Sequence, residues 1–271
     1  WVLSSDPAES LSEDEEKSLD LLKSWIKKHM RPIKLPELLI EVDNDLNFTQ
    51  HFMLPHQQPN RNVDDVCAIL VSIMAHGCFI GPYTMARLTH GVSYDKIHDI
   101  TDWQLTEEAQ RTALATVVNA ITNLDISKKW GDGTTSTSDA QRYAYPRRTL
   151  QQTYSTTFRD FALEFYTFVA DNYAPYFSSP IECTDRDSPY VMDGVLYNES
   201  DLVIEEHYVD SHGYTEINYA GFAMIGKKLS PRIRGVQYQR IYRIDETKDY
   251  GSLTSLVAGK DRLINMDWIE E

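Results

Sequence analysis

One run of the sequence stands out, Trp130-Gly131-Asp132-Gly133-Thr134-Thr135-Ser136-Thr137-Ser138-Asp139-Ala140-Gln141-Arg142, because its small and hydroxyl-bearing residues lead to an acid. A second run, Glu205-Glu206-His207-Tyr208-Val209-Asp210-Ser211-His212, follows the apolar segment 202–204 and also carries an acid. Asp139 and Asp210 are 71 residues apart. An acid that follows a strand-like run and precedes a turn is a typical position for a metal-binding carboxylate. We therefore take Asp139 and Asp210 as the first candidate site residues.

Length and composition indicate a folded protein. The 271 residues, 42% of them hydrophobic, can supply the core of one large domain or two. No apolar run approaches the roughly 18 residues of a membrane helix, and no signal-peptide pattern opens the chain. The chain starts without Met and ends on a charged tail, so we expect it to be a piece of a longer protein. Its three widely spaced cysteines favour reduced thiols and a cytoplasmic location, and they are Cys67, Cys78 and Cys183.

The net charge of −15 does not favour a nucleic-acid partner, because phosphate contacts need Lys and Arg. The segment 227–243 is an exception, since it holds six cations and no acid: Lys227, Lys228, Arg232, Arg234, Arg240 and Arg243. Tyr238 and Tyr242 lie between them. This pattern predicts a local surface for DNA, with a solvated strand face as an equal alternative.

Residues 1–127 are predicted to be mainly helical. Ser10 and Glu13 form a possible capping box for a first helix, which Pro32 and Pro36 end. Its apolar stripe comprises Leu19, Leu22, Trp25 and Ile26. A short apolar run at 38–42 is followed by a predicted loop at 43–45, and Asn62 is the predicted cap of a buried helix. Further helices are predicted at 83–88, 93–100 and 107–123.

From Lys128 onward the residue pattern changes, so we predict a second domain over 128–271. Segments 161–169 and 176–184 are predicted to pair as a hairpin, and Ser188-Pro189 to open a helix that reaches 197. A strand over 202–209, a buried helix over 217–225 and a strand within 232–244 complete the order. Strands that alternate with helices in this way predict a mixed sheet with flanking helices, in a chain of combined α+β and α/β class.

Several runs, taken together and in order, resemble the Tn-three family of replicative transposases. The helical part contributes 35–43 and Phe48-Thr49. The second part contributes 130–139, 165–167, 171–176, Asp193-Gly194-Val195-Leu196-Tyr197, Glu205 to Asp210, Gly213-Tyr214-Thr215 and Pro231-Arg232-Ile233-Arg234. The resemblance covers nearly the whole chain, and collinear motifs are more specific than any single one.

The resemblance implies a ribonuclease-H-like core with an Asp, Asp, Glu metal site, in which Asp139 and Asp210 take the two Asp positions. Mg²⁺, or Mn²⁺ in its place, is the implied cofactor. The implied reaction cleaves the 3′ ends of a transposon and joins them to target DNA. DNA is then the partner, a homodimer the expected state of the full protein, and the bacterial cytoplasm with its nucleoid the expected location.

One departure from the family pattern concerns the third acid. The family's Glu lies much further beyond the second Asp than the 61 residues that follow Asp210. Glu246, Glu270 and Glu271 sit in no matching motif. We therefore expect the third ligand to lie outside this chain, which should then lack full activity. Ala140 also stands where the family more often has Gly.

Each candidate residue has a plainer interpretation. Asp139 after a Ser/Thr run is often a helix or turn cap. His207 alternates with Asp210 along a strand, which favours a structural role. His212 has the same parity as Asp210 but is a weak ligand for Mg²⁺, which prefers oxygen. Arg142 is as suited to a surface ion pair as to a phosphate contact.

Two other functions remain open from the sequence. The chain can serve as a DNA-binding or dimerisation module without activity of its own, or it can belong to a different ribonuclease-H-like nuclease. A phosphate-binding P-loop at Gly221 to Lys227 is excluded, because Lys228 replaces the required Ser or Thr.

Overall fold

The computed structural model describes residues 11–57, 62–144, 149–184, 186–235, 238, 240–243, 245, 247–257, 259 and 264. The chain divides into two compact units, 1–110 and 111–271. Helix Glu107–Asn123 begins in the first unit and continues in the second. The residue pattern suggests a boundary after residue 127, which remains a prediction about domains.

The described elements of the first unit are helices. They are α1 (Glu13–His29), α2 (Leu35–Leu46), a 3-10 turn at Phe48–Phe52, α3 (Val63–Gly77), α4 (Pro82–Leu88) and α5 (Tyr94–Trp103). The predicted cap of α3 is confirmed, since the Asn62 side chain accepts a hydrogen bond from the backbone N–H of Asp64. Ala75, Met85 and Ile97 from three of these helices form one buried cluster.

The start of the chain differs from the prediction in three ways. The capping box of α1 is formed by Ser12 and Glu15, whereas Ser10 lies outside the described residues. The predicted stripe is present but exposed, with Trp25 at 58% of its full accessibility. Helix α2 also continues through the loop predicted at 43–45. Its Asp43 is buried and accepts hydrogen bonds from Thr49, which closes the helix end instead of breaking the helix.

In the described part of the second unit, six strands form one mixed sheet. They are β1 (Thr135–Ala144), β2 (Thr153–Ser155), β3 (Asp160–Ala170), β4 (Pro175–Ile181), β5 (Glu206–Val209) and β6 (Lys228–Pro231). The order is β2-β3-β1-β5-β6, and β4 also pairs with β3. Strand β3 is antiparallel to β1, β2 and β4, while β5 is parallel to β1 and β6. This arrangement is compatible with the ribonuclease-H-like core that the resemblance implies, and the β3–β4 hairpin is confirmed.

Strand β1 has an unusual interior. Its residues alternate between the two faces of the sheet, but the buried ones are Ser136 and Ser138, while Thr137 and Asp139 are exposed. Hydrophobic alternation normally marks a half-buried strand. A strand with buried hydroxyls gives no such signal, so the run 134–138 does not look like a strand by hydrophobicity.

Helices cover one face of the sheet. They are α6 (Glu107–Asn123), α7 (Asp193–Leu196) and α8 (Glu216–Met224). Val118 of α6, Val195 of α7 and Phe222 of α8 pack with Tyr166 and Phe168 of β3 in one buried core. The helix predicted at 107–123 is therefore present with the expected bounds.

One prediction for the second unit is wrong, and another lies partly outside the described residues. Helix α8 is not buried all round, because Ile217 and Met224 are 81% and 87% exposed and one face alone meets the core. The described residues of 232–244 form no strand, and 236, 237, 239 and 244 lie outside the described residues; β6 lies directly before this segment. The described residues after β6 include an isolated bridge between Ile241 and Val257.

Candidate active site

The pairing of β1 with β5 brings the two candidate acids together. Thr137 of β1 lies opposite Tyr208 of β5. Two residues further on, the first strand carries Asp139, and Asp210 follows directly after the end of the second. Both acids line one open cavity of about 500 Å³. The structure thus places side by side two residues that are 71 positions apart in the chain.

The cavity contains more charged groups than the sequence predicted. Its other lining residues are Ala140, Gln141, Arg142, Phe158, Glu164, Arg186, Asp187 and His212. Glu164 comes from β3, and Arg186 and Asp187 come from the segment between β4 and α7. The sequence offered no motif for these three residues. The one available signal was that Glu164 is an acid within an otherwise apolar strand.

Asp210 is held by the turn that follows β5. Its Oδ1 accepts hydrogen bonds from the backbone N–H groups of His212 and Gly213 at 2.8 and 3.2 Å. Its Oδ2 lies 3.1 Å from Nδ1 of His212. Burial acts to raise the pKa of Asp210, but the hydrogen bonds from His212 and Gly213 outweigh it and the pKa is lowered. Asp210 is therefore an ionised and oriented carboxylate.

Asp139 is exposed in the middle of β1 and borders two depressions. Its Oδ1 accepts from the backbone N–H of Ala140 at 2.8 Å. Besides the main cavity, it lines a depression of about 370 Å³ with Thr137, Gln141 and Thr167 on the other face of the sheet. Its position within a strand excludes the cap that the sequence left open.

Arg142 and Glu164 form an ion pair in the wall of the cavity. The Nε of Arg142 donates to Oε2 of Glu164 over 3.0 Å. The acid is buried and the guanidinium is partly exposed, so the pair differs from an ordinary surface ion pair. The hydrogen bond to Glu164 raises the pKa of Arg142. This leaves the Nη edge of a fixed guanidinium as a further donor group.

Asp187 reports the electrostatic character of the cavity. Burial, together with the negative charges of Glu164, Asp210 and Asp139, raises its pKa to about 6. His212 opposes this shift. A concentration of carboxylate oxygens at negative potential suits a hard divalent cation. No three or more His, Cys, Asp or Glu side chains among the described residues form a group that could hold a metal ion. The donors present therefore fit such an ion as a partial set, made of Asp139 and Asp210.

His207 does not reach the cavity. It is fully buried, with Nδ1 lying 2.7 Å from Oγ of Ser136 and Nε2 lying 2.8 Å from Oγ of Ser138. Burial lowers its pKa to about 4. The imidazole is therefore neutral and internal, which supports the structural interpretation.

The basic segment divides into residues with different surroundings. The ammonium of Lys227 donates to the backbone carbonyl of Ile204, so it joins the segments that lead into β6 and β5. Lys228 is exposed at the start of β6. The loop with Arg232 and Arg234 is tied by two backbone hydrogen bonds to Oγ of Ser211, the residue after Asp210. The two arginines therefore follow the end of β6, next to the end of β5 where Asp210 lies.

Two further expectations concern the substitute acids and a membrane helix. The three substitute acids, Glu246, Glu270 and Glu271, lie outside the described residues. Among the helices that the structure describes, none is long and apolar enough to cross a membrane.

Comparisons with known proteins identify the family. The model of the Tn3 transposase DDE domain matches residues 37–271. The transposase for transposon Tn3926 of Escherichia coli is 35% identical over 237 residues, which cover 85% of this chain and 23% of that protein. The transposase for transposon Tn501 of Pseudomonas aeruginosa is 34% identical over 84% of this chain and 23% of its own length.

A third relative comes from another bacterium. The transposase for transposon Tn1546 of Enterococcus faecium is 32% identical over 88% of this chain and 24% of its own length. The chain thus spans about a quarter of the length of the curated relatives that it matches. With a family model that matches residues 37–271, and with relatives up to 35% identical over most of the chain, the chain belongs to the Tn3 (Tn-three) family of transposases.

Proposed function

We propose that this chain is the catalytic region of a DNA transposase, in which Asp139 and Asp210 bind Mg²⁺ or Mn²⁺. The proposed reaction is cleavage at the 3′ ends of a transposon and transfer of those ends into target DNA. The observation that carries the proposal is the position of both acids in one cavity, where Asp139 lies within β1 and Asp210 follows the paired strand β5. Membership of the family supports the reaction class.

The chain's own residues have distinct roles in this proposal. Asp210 is fixed by the turn at His212 and Gly213, so that its oxygens are oriented before any ligand binds. Asp139 supplies a second carboxylate from the adjacent strand. A bound divalent ion would polarise a phosphoryl oxygen and lower the pKa of an attacking water or hydroxyl. The surrounding acids keep the cavity negative until such an ion is present.

DNA contacts are assigned to the cations near the two acids. The guanidinium of Arg142 lines the cavity and is held by Glu164, so it can donate to a phosphate beside the reacting group. Arg232, Arg234 and Lys228 extend the contact from the edge of the sheet that carries Asp210. Lys227 contributes less, because its ammonium already donates to Ile204.

The whole protein is expected to supply what this chain lacks. We infer that the third carboxylate lies in another part of the longer protein and that this chain has little activity alone. The same inference includes a homodimer on DNA and a location at the bacterial nucleoid. These statements rest on the family pattern.

The direct test is calorimetric titration of this chain with Mn²⁺ and Mg²⁺. The variants are Asp139→Ala and Asp210→Ala, and Asp160→Ala serves as the matched control because it removes an exposed acid of the same sheet. We expect binding that both site variants lose and the control keeps. Binding that neither site substitution changes would contradict the proposal. DNA binding or self-association that ignores both acids would then favour the alternative of a DNA-binding or dimerisation module.

A further inference from the structure

A chain of buried hydrogen bonds runs through the sheet behind the two candidate acids. The hydroxyl of Tyr176 donates to Oγ of Ser136 at 3.1 Å, and the hydroxyl of Tyr166 lies 2.6 Å from Oγ of Ser138. The imidazole of His207 lies between the two serines, with its nitrogens at 2.7 and 2.8 Å from their hydroxyl oxygens. All five residues are buried, so each polar group depends on its neighbours in this network.

The direction of the hydrogen bonds follows from the number of hydrogens. A neutral imidazole has one N–H donor and one acceptor nitrogen. Since Ser136 accepts from Tyr176, its own hydrogen is available for Nδ1 of His207. The Nε2–H of His207 then donates to Ser138, which donates to Tyr166. This assignment, made from the network, gives every hydrogen from Tyr176 to Ser138 an acceptor.

Packing holds the imidazole in this position. The ring is stacked between Phe168, at 5.3 Å and 26°, and Phe222, at 5.9 Å and 14°. Water does not reach the ring to replace a lost partner. The fixed imidazole of His207 on β5 therefore contacts two serines of β1 that are two positions apart, one with each ring nitrogen.

This spacing matters because β1 and β5 share few other contacts along their edges. Their parallel pairing comprises the residue pairs Thr135 with Glu206, Ser136 with His207 and Thr137 with Tyr208. A slip by two residues would keep every side chain on its own face of the sheet, so the burial pattern alone does not exclude it. The offset between Ser136 and His207 is 71 residues, which is also the offset between Asp139 and Asp210. A slip by two residues would place Asp210 beside Thr137 or Gln141.

We propose that His207 is a positioning residue that fixes the register of β1 against β5 and thereby holds Asp139 beside Asp210. This inference rests on the proposed function for the role of the two acids, although the register itself does not. In this register, Ser136 and Ser138 are the two residues of β1 that form hydrogen bonds with the imidazole of His207. In β1, Ser136 and Ser138 thus face the core and set the register, whereas Asp139 faces the other way and is the proposed metal ligand.

The first test compares Mn²⁺ affinity in His207→Phe and in Val191→Ala. Phenylalanine keeps a ring between Phe168 and Phe222 but cannot bind the serines, which retain their tyrosine partners. Val191 is buried in the same core as Phe168 and Phe222, and its side chain cannot form a hydrogen bond. Val191→Ala therefore disturbs the packing of this core and leaves the hydrogen bonds of His207 in place. At a temperature where both variants are folded, we expect the Mn²⁺ affinity to fall about tenfold or more in His207→Phe. It should stay near the unsubstituted value in Val191→Ala. Equal affinities in the two variants would overturn the inference.

A second measurement reads the register without metal. Thr137→Cys and Tyr208→Cys, which alter an exposed facing pair, should form a disulfide under mild oxidation. The product is mapped by mass spectrometry, because the chain has three native cysteines. We expect cross-linking to become about tenfold slower when His207→Phe is added and to remain unchanged with Val191→Ala. Unchanged cross-linking with His207→Phe would overturn the inference.

The two measurements separate this inference from the proposed function. If the unsubstituted chain does not bind Mn²⁺, the proposed function fails, and cross-linking alone decides whether His207 sets the register. If His207→Phe does not fold, Ser138→Ala replaces it, because this change removes one of the two groups that the ring binds. Cross-linking in Ser138→Ala at the unsubstituted rate would then count against the inference.

Discussion

Arg142 and Glu164 face each other across β1 and β3, and they join through a 3.0 Å hydrogen bond in the wall of the cavity. The carboxylate side chain is 5% exposed, whereas the arginine side chain is 43% exposed. The buried carboxylate of Glu164 thus pairs with the partly exposed guanidinium of Arg142. Each partner depends on the other in a different way, because only the acid has lost its water.

Removal of the cation should therefore destabilise the protein. We expect Arg142→Met to lower the free energy of unfolding by about 3 kcal/mol, because Glu164 is left as a buried charge without its partner. Urea denaturation measures the change. Lys128→Met is the matched control: it removes an exposed ion pair with Asp125, whose contribution should be below about 1 kcal/mol. Addition of Glu164→Leu to Arg142→Met should restore part of the stability. Equal costs for Arg142→Met and Lys128→Met would show that the pair is not a buried one.

The protein should lose stability in mild acid through His207. Burial lowers the pKa of this residue from 6.5 to about 4, so between these values the unfolded chain binds a proton that the folded chain does not. The free energy of unfolding therefore falls as the pH drops from 6.5 to 4, by up to about 3 kcal/mol from this group. Urea denaturation across this range should show a steeper dependence on pH for the unsubstituted chain than for His207→Phe. Parallel curves would contradict the prediction.

Asp187 should have the opposite effect over a similar range. Burial, with the charges of Glu164, Asp210 and Asp139, raises its pKa from 3.8 to about 6, so its charged form opposes folding above that pH. Asp187→Asn should increase the free energy of unfolding at pH 8 by about 1 kcal/mol, a value reduced for solvent screening because the side chain is only half buried. At pH 3 the difference should vanish, since the carboxyl is then protonated in both states. A gain of the same size at both pH values would exclude the electrostatic cause.

Gly194 should not tolerate a side chain. A Cβ at this position in α7 would lie 2.4 Å from the ring of Phe168, which packs in the centre of the core. Gly194→Ala should cost about 2 kcal/mol in the free energy of unfolding, because the ring must move in a close-packed interior. Gly77→Ala is the matched control in a helix, since nothing lies within 4 Å of its added Cβ. A small change in both variants would show that the core adapts without cost.

The sequence revealed the parts of the fold that follow ordinary patterns. Helix α6 has the expected bounds because its apolar residues recur with the period of a helix, and the strands of the β3–β4 hairpin lie within three residues of theirs because they are long β-branched and aromatic runs. Strand β1 escaped hydrophobic analysis because its buried residues are serines bound to a histidine. Helix α8 was predicted to be fully buried because its residues are nearly all apolar, but composition does not show which faces of a helix pack against the core.

The site was predictable where it depends on the chain order of family motifs. Asp139 and Asp210 came from such motifs, and the structure brings both to one cavity. Glu164, Arg186 and Asp187 came from neither motif nor spacing, because a cavity is assembled by strand pairing from distant segments. Arg142 was left between a phosphate contact and an ion pair, and the ion pair needed the register of β1 and β3 to be seen.

Strand β6 has a consequence for solubility. It is the outermost of the described strands on the parallel side of the sheet, only four residues long, with Lys228 at its start and Pro231 at its end. A lysine, a proline without an N–H group and a short edge all hinder the addition of a foreign strand. This margin of the sheet is thus protected against fibre-like aggregation at high concentration, and growth of the sheet from one molecule into the next is blocked there.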